Sequence, residues 1–277
     1  MTRLFFRSLL VRASLLLALG LVGINITGFF VGIRAPGIDG YIDIAGPTTT
    51  YNVTRHSLNA HQPKNYDAQA LAEVTKLFND GMAHIDPADI EAFGVRRFNG
   101  SVPITENYIL YLLSYLKPDT YLDYEFCSYQ KALERGTGRC GQQSLALVDF
   151  LDKKGVETGF VHVGDLHTLV TARSEDRGWI LLDPDFGGMV PASAAEVSHN
   201  PEMVEEHYWY PNVVERNLHN AFRQLPIVEE LGGPEVRWHR ACTIEKVAYI
   251  LKWGIPVMLI FLSLILIRRA SGQVTGG

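Results

Sequence analysis

The chain has 277 residues, 47% of them hydrophobic and 20% charged, with a formal net charge of −5. That is enough for one globular domain with a sizeable core plus appended segments, and it lacks the basic footprint of a nucleic-acid binder. All 30 acids fall between Arg34 and Lys246, against 19 Lys and Arg, so the middle carries −11 and the two ends together +6.

Ala13 to Ile33 is 21 residues without a charge, enough to cross a bilayer core of ~30 Å at ~1.5 Å per residue. A signal peptide has a shorter apolar core of ~7–15 residues and a small-x-small cleavage site. Gly28-Phe29-Phe30 supplies no such site, so a retained anchor is expected. Residues 34–64 are rich in Gly, Pro, Thr and Asn and read as extended chain with one strand at Gly40–Ala45. Tyr66 to His84 has helical spacing, with Leu71, Val74, Leu77 and Phe78 on one face. Pro87 starts a short helix. Asn107 to Leu116 is apolar nearly all round and ten residues long. It is too short to span a membrane, so it is expected to be a core helix, with Tyr108, Tyr111 and Tyr115 in the packing. Ser128 to Glu134 reads as a further helical turn or two.

Gly136-Thr137-Gly138 leads into helix formers from Gln142 to Lys154, closed by Gly155 as a C′ glycine. Leu145, Val148 and Leu151 share one side. Cys140 thus stands at the first turn of a buried helix, where unpaired N–H groups and the helix dipole favour an anion. The backbone N–H at the cysteine can also donate to an oxyanion. Three strands follow, at 156–163, 166–172 and 179–183. Folding the last two about Glu175 sets Thr171 opposite Trp179, Leu169 opposite Leu181 and His167 opposite Asp183. All six share one face because strand side chains alternate. Directly opposed Cβ atoms lie ~4.5–5.5 Å apart, within reach of an Asp–His hydrogen bond. With the helix start packed on that face, Cys140 is the nucleophile and His167 the base and then acid. Asp183 fixes the imidazole tautomer.

The same residues carry a family resemblance. Gly138-Arg139-Cys140, an apolar helix ending at Gly155, His167 in a strand, and Gly178-Trp179-Ile-Leu-Leu-Asp183-Pro184 together resemble the transglutaminase-like superfamily of cysteine enzymes. The resemblance covers roughly residues 125–190. It implies an α+β, papain-like core: a helix bearing Cys140 packed on a small antiparallel sheet bearing His167 and Asp183. It also implies acyl transfer from glutamine side chains or hydrolysis of peptide or amide bonds. Two positions depart from the pattern. Leu169 stands where many members have an aromatic residue, and Asp185 stands where a Thr is common. Tyr124, Tyr129 and Gln130 lie upstream, where a second oxyanion donor can sit.

Other constellations are weaker. His162 and His167 fall on two strands and make no helical zinc motif, and His199, His207 and His219 lack supporting ligands. No metal and no cofactor is expected. Cys127 and Cys242 are either a disulfide formed in an oxidising compartment or two unrelated buried thiols. The aromatic segment Glu206–Pro211 is expected in core packing, with a substrate cleft or the membrane surface as the other placement.

Val247 to Ile267 is the second apolar run. Its charge-free part, Trp253 to Ile267, is 15 residues; adding Val247 to Lys252 restores a span if Lys252 snorkels outward. Tyr249 and Trp253 then lie in the interfacial belt. Arginines flank the outer end of each run, which by the positive-inside rule places both termini in the cytoplasm. The expected layout is a cytoplasmic N-terminus (1–12), a transmembrane helix (13–33), an extracytoplasmic domain (34–246), a second transmembrane helix (247–267) and a cytoplasmic tail (268–277). In a bacterium that is a two-pass protein of the plasma (inner) membrane with its domain in the periplasm. The expected function is a membrane-anchored thiol enzyme that cleaves or transfers a protein or peptide amide. The alternative is a non-catalytic binding or assembly module of a cell-envelope or polysaccharide-export system. The expected partners are a protein or peptide substrate near the membrane surface, the lipid bilayer and envelope-complex proteins, with no nucleic acid.

Overall fold

The computed structural model describes residues 2–34, 49–61, 63, 65–85, 87–205, 207 and 220–274. The strand expected at Gly40–Ala45 and, apart from His207, the segment Glu206–Pro211 lie outside them. The elements run α1 (Thr2–Thr27), α2 (Tyr51–Ala60), α3 (Ala68–Gly81), β1 (Ala83–His84), α4 (Pro87–Phe93), α5 (Tyr108–Leu116), α6 (Pro118–Tyr121), α7 (Tyr129–Arg135) and β2 (Thr137–Gly138). They continue with α8 (Cys140–Asp152), β3 (Thr158–Val163), β4 (His167–Ser174), β5 (Gly178–Asp183), β6 (Gly188–Val190), α9 (Ala194–His199), β7 (Ile227–Leu231) and α10 (Glu235–Val274). The class is α+β. Contacts divide the chain into one unit of Met1–Ile33, Ser101–Leu122 and Thr243–Gly277, and a second of Arg34–Gly100 and Asp123–Cys242. Residues 101–122 therefore group with the apolar ends of the chain.

Helix α1, and helix α10, which belongs to the first unit from Thr243 onward, contain stretches long and apolar enough to cross a membrane: Leu9–Thr27, with mean hydropathy 2.1, and Glu235–Arg268, with 2.4. Helix α1 ends before the expected Ile33. Gly28 comes so near the Thr105 carbonyl that no Cβ would fit there, and the chain turns. Helix α10 begins twelve residues before the expected Val247, with one non-helical residue at Trp238. Pro256 lacks an N–H and so deprives the Lys252 carbonyl, four residues earlier, of its helical donor. Asn25 Nδ2 (2.6 Å) and Tyr108 Oη (3.2 Å) donate to that carbonyl instead, as a proline in an apolar helix requires. The Lys252 ammonium donates to the Glu106 carbonyl at 2.7 Å, so protein as well as solvent receives the charge. Helix α5 is capped by Asn107, whose Oδ1 accepts from Ile109 and Leu110. It buries Tyr108 and Leu110, but Leu112, Tyr115 and Leu116 are 54%, 57% and 76% exposed, so the expectation of a core helix holds for one face only.

The second unit is built on a sheet of order β6-β5-β4-β3-β7, antiparallel throughout. Strands β6 and β7 were not legible in the sequence, and α2 replaces extended chain at 51–60. The β4–β5 register corrects the expected one. Thr171 lies opposite Leu181 and Arg173 opposite Trp179, an offset of two residues that carries Asp183 across from Leu169. The turn pivots on Asp176 rather than Glu175, because Gly178 takes up a left-handed φ of 78° and closes the ladder with Ser174. An even offset leaves every side chain on its face, whereas an odd one reverses them all. His167 and Asp183 therefore still share a face, as diagonal neighbours. Along that face Val161, Val163, Leu169 and Leu181 pack with Val197, Val204 and Phe222.

Helix α8 is buried on all sides from Gln142 to Leu151, as a helix at the centre of a core must be. It packs on β3 and β4, and Phe150 meets Phe78 and Tyr129 edge-on at 5.6 and 5.2 Å. Cys127 and Cys242 form a disulfide, with Cα atoms 5.5 Å apart, which settles the two alternatives. It leaves Cys140 as the free cysteine.

Candidate active site

Cys140 is the first residue of α8, His167 the first of β4 and Asp183 the last of β5. Three element ends thus converge, and each position follows from local sequence. Glycines at 136 and 138 deliver the chain to the helix. Arg139, the residue before it, makes no side-chain cap, so its side chain takes none of the first-turn N–H groups of α8. Behind them, Gln142 accepts from the Phe126 N–H and the Arg135 guanidinium and donates to the Phe126 carbonyl. This locks the 124–126 segment against the helix start.

His167 and Asp183 are both buried, and the imidazole Nε2 donates to Asp183 Oδ2 at 2.7 Å. The other carboxylate oxygen accepts from the backbone N–H groups of Asp185 (3.0 Å) and Phe186 (3.3 Å). The turn after β5 thereby fixes the carboxylate, and the carboxylate fixes the ring. Phe186 lies beside the imidazole, with ring centroids 5.6 Å apart. Burial alone would depress the His167 pKa. The Asp183 charge and hydrogen bond, together with the Cys140 thiol, outweigh it and hold the ring well above the usual histidine range. The Cys140 sulfur lies within 4.8 Å of an imidazole nitrogen. All three residues expected from the sequence are therefore brought together.

The structure adds a second group that the sequence did not reveal. Asp185, 1% exposed, places a carboxylate oxygen within 4.8 Å of both the Cys140 sulfur and the His167 nitrogen. Its Oδ1 accepts from Gln143 Nε2 at 2.7 Å and pairs with His84 Nδ1 at 2.6 Å. Cys140, His167 and Asp185 are donors of metal-ligand type. The available sequence signal was Asp185 at a position where the resembled family commonly has Thr. Glu125 is a further neighbour: its carboxylate lies so close to Gly141 that a Cβ there would collide with it. It accepts from the Trp238 indole at 2.8 Å, and burial pushes its pKa up.

The other candidates stand apart. Tyr124 is buried. Tyr129 packs on Phe78 and Phe150, and Gln130 is exposed and bonded to Ser128. His162 lies opposite Thr168, one residue along from the Val163–His167 pair, so it faces the other side of the sheet. Its Nε2 is 3.0 Å from the Arg237 guanidinium, and burial and that charge lower its pKa. His199 bonds the Ala195 carbonyl within its own helix. No family model matches the chain, and no curated protein and no solved structure matches it either.

Proposed function

We propose that the protein is a membrane-anchored thiol enzyme with a transglutaminase-like, papain-like core, acting on a protein or peptide amide through an acyl-enzyme on Cys140. The observation that carries this reading is the single buried line from Asp183 through His167 towards the free thiol. Nε2 is committed to Asp183, which leaves Nδ1 to exchange a proton with the sulfur. The thiol gives its proton to His167, and the sulfur attacks the substrate carbonyl. The C–N bond breaks as His167 returns the proton to the leaving amine. Water or a second amine then attacks the thioester, with His167 accepting its proton, and the thiol is regenerated. The backbone N–H of Cys140, at the start of α8, is the proposed donor to the oxyanion.

The domain is proposed to lie outside the cytoplasm, with both termini inside, in the plasma (inner) membrane of a bacterium. Arginines at the outer flanks of both apolar runs support that orientation. The Cys127–Cys242 disulfide supports an oxidising compartment. Tethering then limits substrates to proteins or peptides near the membrane surface. Rapid, pH-dependent alkylation of Cys140, with turnover abolished in Cys140→Ala, is the expected result. A Cys140 that reacts no faster than a simple free thiol at neutral pH sinks the proposal. A reporter fused after Gly277 should be active only in the cytoplasm; activity outside refutes the orientation.

A further inference from the structure

We infer that Cys140, His167 and Asp185 form a binding site for a divalent zinc-class ion that holds the thiol silent. Three observations carry it. The first is the donor set itself: a sulfur, an imidazole nitrogen and a carboxylate oxygen, all within 4.8 Å of one another. Bonds of ~2.0–2.3 Å to a tetrahedral zinc set ligand atoms roughly 3.3–3.8 Å apart, so closure by about 1 Å through side-chain torsions completes the site. Thiolate with imidazole selects zinc-class ions over magnesium or calcium.

The second is the unfilled valence of Asp185. Gln143 and His84 occupy Oδ1. Oδ2 is buried and has no hydrogen-bond partner among the described residues. A buried carboxylate oxygen left without a partner is costly and calls for an occupant. The third is the support behind each ligand. Asp183 holds the distal nitrogen of His167 at 2.7 Å, as carboxylates do behind metal-bound histidines. Gln143 and His84 do the same for the Asp185 carboxylate. Three protein ligands leave a fourth position, and Cys140 is only partly buried, so water can complete the coordination.

Binding releases protons to solvent: the sulfur coordinates as thiolate, and the imidazole nitrogen that faces it gives up any proton it carries so as to present a lone pair. The ion then takes both the sulfur and the nitrogen that the proposed acyl chemistry uses. The silencing rests on that proposed function, whereas the binding does not.

The test uses the full chain in detergent micelles, stripped with chelator and kept free of reductant so that the disulfide stays intact. Cobalt(II) is titrated to reveal a thiolate-to-cobalt charge-transfer band, and zinc is then used to compete. Iodoacetamide labelling of Cys140 is followed by mass spectrometry with and without zinc. One ion per chain is expected, with zinc protecting Cys140 from alkylation. The band should vanish in Cys140→Ala, and Asp185→Asn should weaken binding by at least about tenfold, both variants being checked for folding by circular dichroism. An unchanged alkylation rate under zinc, measured on the unmodified chain, overturns the site. So does an unchanged cobalt band in folded Asp185→Asn. If zinc binds as expected but the metal-free thiol is inert, the enzyme reading falls and the metal site stands. An active, zinc-insensitive thiol overturns the metal site alone.

Discussion

Replacing Asp183 by Asn keeps the shape of the side chain and removes its charge. The amide oxygen can still accept from the N–H groups of Asp185 and Phe186, so the turn after β5 is retained. The amide nitrogen, however, now faces His167 Nε2. To avoid opposing donors, the ring must carry its proton on Nδ1, the nitrogen to which the proposed mechanism sends the thiol proton. The side chains of His167 and Asp183 are 5% and 1% exposed, so solvent does not screen their interaction. Removing one partner of such a buried pair costs about 3–5 kcal/mol. Asp183→Ala also leaves two backbone donors unmatched and should cost about 2 kcal/mol more, at about 1 kcal/mol for each lost hydrogen bond. Under the proposed mechanism, loss of the base should slow acyl transfer by roughly 10²–10⁴-fold. Urea unfolding read by tryptophan fluorescence gives the stability, and pH-resolved iodoacetamide labelling of Cys140 gives the reactivity. A folded Asp183→Asn variant within about 1 kcal/mol of the parent, with unaltered Cys140 labelling, would refute the pairing of roles.

The raised His167 pKa has a defined sign for stability. The folded state favours the imidazolium, so the contribution is fully present below ~6.5 and is lost as pH rises through the folded value. Urea midpoints should therefore fall on alkaline titration, and Asp183→Asn should flatten the decline; a parent profile that rises over this range contradicts the assignment. Cys127 and Cys242 are 115 residues apart, so the chain-entropy model assigns their crosslink about 4.8 kcal/mol. The Cys127→Ser/Cys242→Ser pair should unfold at lower urea by up to that amount. A Cβ on Gly159 would lie 2.6 Å from the Glu230 carbonyl oxygen and 2.9 Å from Leu231 Cα. Because these are backbone atoms of β7, Gly159→Ala should destabilise by about 1–3 kcal/mol, seen as a lower Tm; no change would place β7 elsewhere.

The parts of the site that were legible in the sequence are those with a local cause. Gly138-Arg139-Cys140 before a run of helix formers places the sulfur at a helix start. Strand alternation places His167 and Asp183 on one face, and it tolerated a register misjudged by two residues because the misjudgement was even. Had Gly178 shifted the turn by one residue, the same reasoning would have separated the pair. Asp185, Gln143 and His84 have no such signal. His84 arrives on β1, a two-residue strand paired in parallel with Thr137–Gly138, and nothing periodic announces a strand so short. The Gln142 and Arg135 braces are polar residues in a core, which a hydrophobic pattern reads as surface. Likewise β7, Ile-Val-Glu-Glu-Leu, pairs along only one side and sets its two adjacent acids on opposite faces, so its alternation is weak.

The disulfide also has a consequence for how the molecule matures. Three cysteines allow three pairings, and only Cys127–Cys242 leaves the site sulfur reduced. Cys127 and Cys140 are 13 residues apart, against 115 for the native pair. Loop closure favours the local pairing in an unfolded chain by about 2 kcal/mol. Under the proposed placement in an oxidising space, the local Cys127–Cys140 isomer is therefore the one favoured before the chain folds. A Cys140 caught in that isomer is freed by thiol–disulfide exchange once Cys242 has come beside Cys127. On that reading oxidation state and folding are coupled: a copy in which Cys242 has not reached Cys127 keeps the proposed nucleophile bonded.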